Sequence, residues 1–520
     1  MLSFYKMKHL SYILIVVFLA CSYTLRAQDV QRFSERQIIG TARYVGMGGA
    51  MTAIGGDPSA ALDNPAGLGL YRRSEITLTI DETIDNTTQR YTALNNSAQR
   101  YTRSRFAAPQ VSAIWSWGNA NKQRGLIYNN LMFSINRLAN YNRDVVVNGQ
   151  NTGMVETICN ITNDMGGVAE ENLQNTPWDN VEIGWLSILG YEAYLIDPIE
   201  NNQWQPAVNF TDGSLSVAES GNSDQYALSW AGNISNQWYV GVALNIPTIS
   251  YTKNISLVET NRLNSAELRS MFHVSGVGVS GSFGIIYRPL RALRLGASFQ
   301  TPTVMSLSMQ TEGDMYTTIA GEDYERLTPA SGVHTMKMSS PLRTSVSVAG
   351  QLGNIGLLAL QYDYAHAMRD KEGFMQMDDV HTLRIGAEAQ VIRGLFLNAG
   401  YVYESSFIKE EQPVGLDYYS IRTDIDYRYT QSTQYASVGF GYRGDAIVAQ
   451  LAYQYRWQTL HQYASECQLL PMEVGTHTHR LVATLAWRFS DRAQMAYDNG
   501  VEQYTYIEPR RNDLTQIRKY

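Results

Sequence analysis

Residues Gly40 to Leu70 read GTARYVGMGGAMTAIGGDPSAALDNPAGLGL, and the fold turns on this stretch. It is dense in Gly and Ala, and it carries an Asp57-Pro58 and an Asn64-Pro65 step. No helical period persists and no strict alternation runs through it. Gly permits positive φ and close backbone approach, whereas Pro fixes φ and ends regular structure. Such residues make a compact, tightly turned plug whose small side chains let it pack inside another element. The rest of the chain has to supply that element.

Downstream, large apolar or aromatic residues take every second place in many runs. Leu451, Tyr453, Tyr455 and Trp457 alternate with Gln450, Ala452, Gln454 and Arg456. Leu481, Ala483, Leu485, Trp487 and Phe489 alternate with Val482, Thr484, Ala486 and Arg488. Period two means a strand with one face in apolar surroundings and the other not. Turn residues at 233–236, 288–291, 353–354, 393–394 and 444–445 join some neighbours tightly. Long connections at 81–108, 138–224, 312–331, 408–426 and 460–475 join the others. Short and long alternate along the chain. An up-and-down barrel thereby collects its short turns on one rim and its long loops on the other, while a Greek-key sandwich has no reason to keep this order.

The expected fold is therefore all-β. It is a transmembrane antiparallel up-and-down β-barrel of about 14 strands, an even number as such barrels require, with the N-terminal hatch inside the lumen. The predicted divisions are a signal peptide at 1–27, the hatch at 28–74, the barrel at 75–489 and a polar periplasmic tail at 490–520. The 138–224 connection is too long for an ordinary loop and reads as a folded extracellular cap, with a short helix around 181–194. Pro247 and Pro302 fall inside long runs, where Pro sits at bulges or edges and kinks the wall.

Composition fits this without demanding it. Charged residues are 17% of the 520, below the roughly 25% usual in soluble domains. Tyr numbers 34 and Trp 9, as in barrels with aromatic girdles; a large soluble β protein also fits these counts. A net charge of -7 without a basic stripe excludes nucleic acid as the expected partner. Lys6 and Lys8 precede the apolar run Tyr12 to Ala20, the pattern of a secretion signal cleaved after Ala27; a lipoprotein reading would use Cys21 instead. No later run is long and apolar enough for a membrane helix, so a membrane-spanning form has to be a closed sheet. In an oxidising envelope Cys159 and Cys467 either pair or remain idle thiols.

The opening stretch also resembles the N-terminal hatch of the FadL/TodX family of outer-membrane transporters for long-chain fatty acids and hydrocarbons. The matching pieces are Ala42-Arg43, then Gly46-Met47-Gly48-Gly49-Ala50, Asp57-Pro58-Ser59-Ala60 and Asn64-Pro65-Ala66-Gly67-Leu68. Tyr287-Arg288-Pro289, Gln300-Thr301-Pro302-Thr303 and Arg384-Ile385-Gly386-Ala387-Glu388 are similar too. The resemblance implies a fourteen-stranded barrel in the outer membrane of a Gram-negative bacterium. It implies capture of hydrophobic small molecules at extracellular loops, passage into the lumen and sideways exit through a gap in the wall into outer-membrane lipid. It assigns the hatch or gate role to Gly46, Gly48, Gly49, Asp57, Pro58, Asn64, Pro65 and Ala66.

Face and charge add expected lumen contacts for a ligand carboxylate at Arg384, Arg456 and Arg488, each with pairing to lumen acids such as Glu388 as the competing role. The C-terminal strand ends on Phe489, the aromatic end that barrel assembly machinery reads. No cofactor, metal site or catalytic residue is expected, and no G-x-S-x-G elbow stands in a strand–turn–helix context. Two rival readings remain: a haem or surface-ligand receptor using His477 and His479, and a general porin, against which a plugged lumen argues.

Overall fold

The computed structural model describes residues 27–91, 99–118, 124–150, 152–174, 178, 183–331, 333–353, 355–366, 378–407, 420–468 and 470–489. The expected signal peptide, except Ala27, and the expected C-terminal tail lie outside these residues, as do 408–419.

The wall is a closed antiparallel ring of fourteen strands. It runs through β1 (Ser74–Tyr91), β2 (Gln99–Gly118), β3 (Leu126–Asn140), β7 (Asp212–Ile234), β8 (Trp238–Thr260) and β9 (Ser265–Leu290). One wall strand is then built from two segments, β10 (Leu293–Gln300) and β11 (Val304–Ile319), and the next from β13 (His334–Ser339) and β14 (Leu342–Leu352). The ring continues through β15 (Gly356–His366), β16 (Val380–Ile392), β17 (Leu395–Glu404), β18 (Tyr427–Arg443), β19 (Ile447–Tyr463) and β20 (Met472–Phe489), which pairs back onto β1. The two broken strands part at Pro302 and Pro341, and the β8–β9 ladder lapses beside Pro247. Proline brings no N–H to a ladder, so these are the breaks it forces.

Alternation sorts the side chains. Along β1, Ile76 and Leu78 face out while Thr77 and Thr79 face in. Trp487 is 69% exposed on the outer face, whereas Thr79 on the inner face is fully buried. Outward aromatic residues form two bands. Trp115, Trp117, Trp238 and Trp487 lie toward the short-turn rim; Tyr362, Tyr401, Tyr403 and Tyr453 lie toward the long-loop rim. Leu360, Ile385, Val438, Leu451 and Leu485 fill the band between them.

Several expected long loops are instead strand. β1 and β2 reach Tyr91 and Gln99, and β11 runs to Ile319 before a further strand, β12 (Glu322–Leu327), folds back on it. In the outer parts of β1 and β2 polar residues predominate on both faces, so alternation continues in the backbone after hydropathy has ceased to show it.

The 138–224 region contains β4 (Arg143–Gln150), which extends β3 and pairs with β7, a two-stranded hairpin of β5 (Ile196–Pro198) and β6 (Trp204–Pro206), and helices. Helix α1 (Ala27–Ser34) and helices α2 (Ala42–Gly46) and α3 (Ala60–Asp63) precede the wall; α4 (Met154–Asn163), α5 (Glu170–Gln174) and α6 (Trp185–Glu192) belong to the cap. Met154, Ile158, Leu186, Leu189 and Trp204 of the cap form one apolar cluster with Leu215, Leu257, Leu268, Met315, Leu460 and Val474 of the wall. Those wall residues point inward from six strands, so the cap fills the long-loop mouth.

Candidate functional site

The hatch is assembled by its own short polar residues. Asp57 accepts from Thr41 Oγ1 at 2.7 Å and from the Ser59 amide at 2.9 Å, while Ser59 Oγ accepts from the Thr41 amide at 2.9 Å. Pro58 stands between these two anchors and sets the turn. Asn64 Oδ1 accepts from the Ala66 amide at 3.0 Å and caps a 3-10 turn that Pro65 begins, where a missing N–H costs nothing. Asn64 Nδ2 donates to the Thr52 carbonyl at 2.8 Å and to the Ile285 carbonyl of the wall at 3.3 Å.

Wall glycines receive the hatch. A Cβ on Gly296 would lie 2.6 Å from the Thr52 carbonyl oxygen, and one on Gly386 would lie 2.5 Å from that of Met47. Gly241 and Gly284 pair across β8 and β9 and leave room for Pro65 and Asn64. On the hatch side, Gly48 and Gly49 hold φ of 60° and 69°, a region that favours glycine, and Gly48 lies against Gly400. Gly46 faces Asn398 and Gly439. Together the named hatch residues form a tight seat against the short-turn half of the wall.

Ion pairs fix that seat. Arg43 meets Glu388 through two hydrogen bonds, and Arg443 closes on the same carboxylate. Arg384 pairs with Asp363 at 2.7 Å and with hatch Asp63 at 3.1 Å. Arg456 reaches Glu35 at 3.1 Å, and Arg488 reaches Glu75 at 2.7 Å. Thus all three arginines singled out in the sequence face inward and carry carboxylate partners, though none of them takes Glu388. His477 and His479 face outward, where their Nδ1 atoms lie 2.7 Å from the Tyr455 and Tyr453 hydroxyls. Cys159 and Cys467 are free thiols.

Between hatch and cap, a buried ionic layer crosses the lumen. Lys253 of β8 contacts Asp424 at 2.6 Å and Asp426 at 2.8 Å. Arg422 joins Asp424 to Asp29 of α1, and Arg32 joins Asp29 to Glu219. Arg143 and Arg428 converge on the same Glu219. Buried charges persist only when paired in this way.

One side of the wall is open beside this layer. β2 pairs with β3 only from Gln110 to Gly118, and its outer part, from Gln99 to Ala107, pairs with β1 alone. The ladder stops at Pro109, which has no N–H, beside a bulge at Thr79–Asp81 in the β1 register. β4 pairs with β7 and leaves its other edge without a ladder, so β2 and β4 face each other across a window. The ion pair Arg103 Nη1 to Asp144 Oδ2, at 3.0 Å and half-exposed, spans it, and beside it the Val146 amide of β4 donates to Gln89 Oε1 of β1 at 3.1 Å. Behind the window is a cavity of about 140 Å³. Glu35, Asp85, Arg105, Arg143, Arg428, Arg456 and Arg480 line it with Arg103 and Asp144.

Apart from Arg456, these cavity arginines escaped the sequence reading. Arg103 and Arg105 sit in 81–108, a span read as loop; their spacing of two was the available signal.

No family model matches the chain, and no curated protein matches it. Its fold is similar to solved structures. A Pseudomonas aeruginosa FadL homologue is 10% identical, with 88% of this chain and 100% of that one covered at a TM-score of 0.49. The P. putida toluene transporter TodX is 12% identical, with 88% and 100% covered at 0.49. The Ralstonia pickettii toluene transporter TbuX is 14% identical, with 87% and 99% covered at 0.44.

Proposed function

We propose that this protein lies in the outer membrane of a Gram-negative bacterium and admits hydrophobic small molecules, long-chain fatty acids or aromatic hydrocarbons, by passive passage and lateral exit. The observation that carries this is the combination of a barrel filled at both ends with a break in its side wall. An apolar band between two aromatic bands suits a lipid-embedded barrel. Tyr194, Ile199 and Leu263 stand exposed at the long-loop end and offer a first apolar contact; burial there yields about 25 cal/mol per Å². The window between β2 and β4 then leads from lumen to wall exterior without displacement of the hatch. Gating by Gly46, Gly48, Gly49 and the Asn64-Pro65-Ala66 turn is the second part of the proposal, since these residues form the contact that any opening to the periplasmic side has to break.

The test is flux in proteoliposomes. Uptake of a labelled fatty acid with no sugar-driven swelling is expected. Steady sugar flux through the intact chain would favour a general porin and defeat the reading, because the hatch would then not seal.

A further inference from the structure

The cavity behind the window is unsuited to a bare hydrocarbon, and its chemistry specifies more than an apolar ligand. Six guanidiniums line it, those of Arg103, Arg105, Arg143, Arg428, Arg456 and Arg480, against three carboxylates, Glu35, Asp85 and Asp144. Asp81 behind Arg480 and Glu219 behind Arg143 and Arg428 raise the acids to five, so one positive charge remains. The hydrogen bonds are also incomplete. Arg105 lies 3.8 Å from Asp85, and its Nη1 has no partner among the described residues. Arg143 Nη1 and Arg456 Nε are likewise unpartnered there. A buried guanidinium short of acceptors is costly, and filling the site with hydrocarbon would leave that cost in place.

We infer that this cavity is a binding site for a tetrahedral oxyanion, a phosphate or sulfate group, carried as the head of a passing amphiphile. The inference rests on the transport reading for the source of the head group. The arginines come from five strands, β2, β4, β18, β19 and β20, and surround the space. A planar carboxylate is satisfied by one guanidinium fork. Three terminal oxygens directed at several donors make fuller use of arginines on opposite walls. Size agrees: about 140 Å³ leaves room for a head group together with water, at roughly 10–15 Å³ of such space per water. The chain then lies in the window, beside the exposed Phe106 ring of β2.

The experiment is calorimetric titration of the detergent-solubilised full chain with dodecyl phosphate, dodecanoate, dodecanol and inorganic phosphate. Dodecyl phosphate is expected to bind more tightly than dodecanoate or dodecanol, and added salt should weaken it. Arg105→Gln, whose ion pair to Asp85 is a long 3.8 Å, should weaken it by about tenfold or more while leaving dodecanol unchanged. Arg143→Gln is the second variant, and because Arg143 also holds Glu219, intact circular dichroism is checked alongside. If inorganic phosphate binds as tightly as the alkyl ester and loses affinity in Arg105→Gln, the oxyanion site stands with a free anion as its source. Equal binding of dodecyl phosphate and dodecanol, or of dodecyl phosphate and dodecanoate, or no change in Arg105→Gln, overturns the inference. Fatty-acid uptake in proteoliposomes that persists in that case leaves the transport reading intact.

Discussion

Arg43, in the first turn of a hatch helix, meets Glu388 of the barrel wall through a two-point ion pair, Nε to Oε2 at 2.9 Å and Nη2 to Oε1 at 3.0 Å. Both side chains are buried, and the residues are far apart in sequence. A charge pair of this kind adds little net energy when complete, yet loss of one partner leaves the other buried without compensation. Arg443 still faces Glu388 when Arg43 is removed, so Arg43→Ala should cost hatch docking about 3 kcal/mol, the low end for broken buried pairs. The readout is proteolysis within 40–70 together with sugar flux in liposomes. Both should rise in the variant while the barrel remains resistant to cold detergent. A hatch as protected as in the parent protein would show that steric fit alone retains it.

Steric fit is separately testable through two glycines of the wall. On Gly296 a Cβ would meet the Thr52 carbonyl oxygen at 2.6 Å and the Ala53 Cα at 2.7 Å, and neither is a flexible side-chain end. On Gly350, in the paired β14, a Cβ would meet nothing within 4 Å. Gly296→Ala should therefore destabilise hatch seating by about 1–3 kcal/mol, the usual overpacking cost. Gly350→Ala should be neutral or stabilise by about 0.5–1 kcal/mol, because glycine loses more freedom than alanine in a strand. Thermal denaturation of both variants in one detergent decides it. Equal behaviour would mean that the hatch yields readily to the wall.

These wall glycines also show what the sequence discloses and what it hides. The period-two runs around Leu451 and Leu481 place their strands and faces because an apolar exterior and a polar interior write hydropathy in alternation. The plug is legible because Gly48 and Gly49 allow the positive φ of tight turns and the two Xaa-Pro steps end regular structure. Inward glycines such as Gly241 and Gly284, however, read as ordinary small residues until the hatch is docked against them. Arg103 and Arg105 are hidden for another reason. In the outer parts of β1 and β2 polar residues predominate on both faces, so hydropathy loses its period although the ladder to β1 continues. The window itself is a missing ladder, and only Pro109 marks it in the sequence.

Asp57 shows how one carboxylate organises the hatch locally. It accepts from the Thr41 hydroxyl and the Ser59 amide, with a longer contact to the Ala60 amide at 3.4 Å. Asp57→Ala leaves those buried donors unmatched, at about 1–3 kcal/mol for each group stranded. Asp57→Asn keeps an acceptor oxygen and should avoid much of that loss. The expected order of hatch protection in hydrogen exchange is parent, then Asp57→Asn, then Asp57→Ala. Equal protection in all three would place the hatch's order in its wall contacts rather than in this residue.

The cap offers a chemical probe of its own packing. Cys159 on α4 is buried in the cap's apolar cluster, and burial pushes its thiol up to about 12, with the nearby Glu156 adding to the shift. Cys467 is only partly buried, its thiol is also raised by burial, and Asn160 Nδ2 contacts its sulfur at 3.1 Å. Only a thiolate attacks maleimide. Maleimide labelling at neutral pH should therefore modify Cys467 first and Cys159 only after denaturation. The sign for stability follows from the same shift. The folded cap holds Cys159 neutral above the pH, near 8.5, at which an unfolded chain releases the proton. The contribution is complete below that pH and is lost progressively as pH rises toward about 12, because only the unfolded form gives up its proton there. Exchange protection of α4 should fall across that range in the parent protein and fall less in Cys159→Ala. Rapid labelling of Cys159 in the folded protein, or identical pH profiles for the two chains, would mean that the cap opens far more readily than its buried core implies.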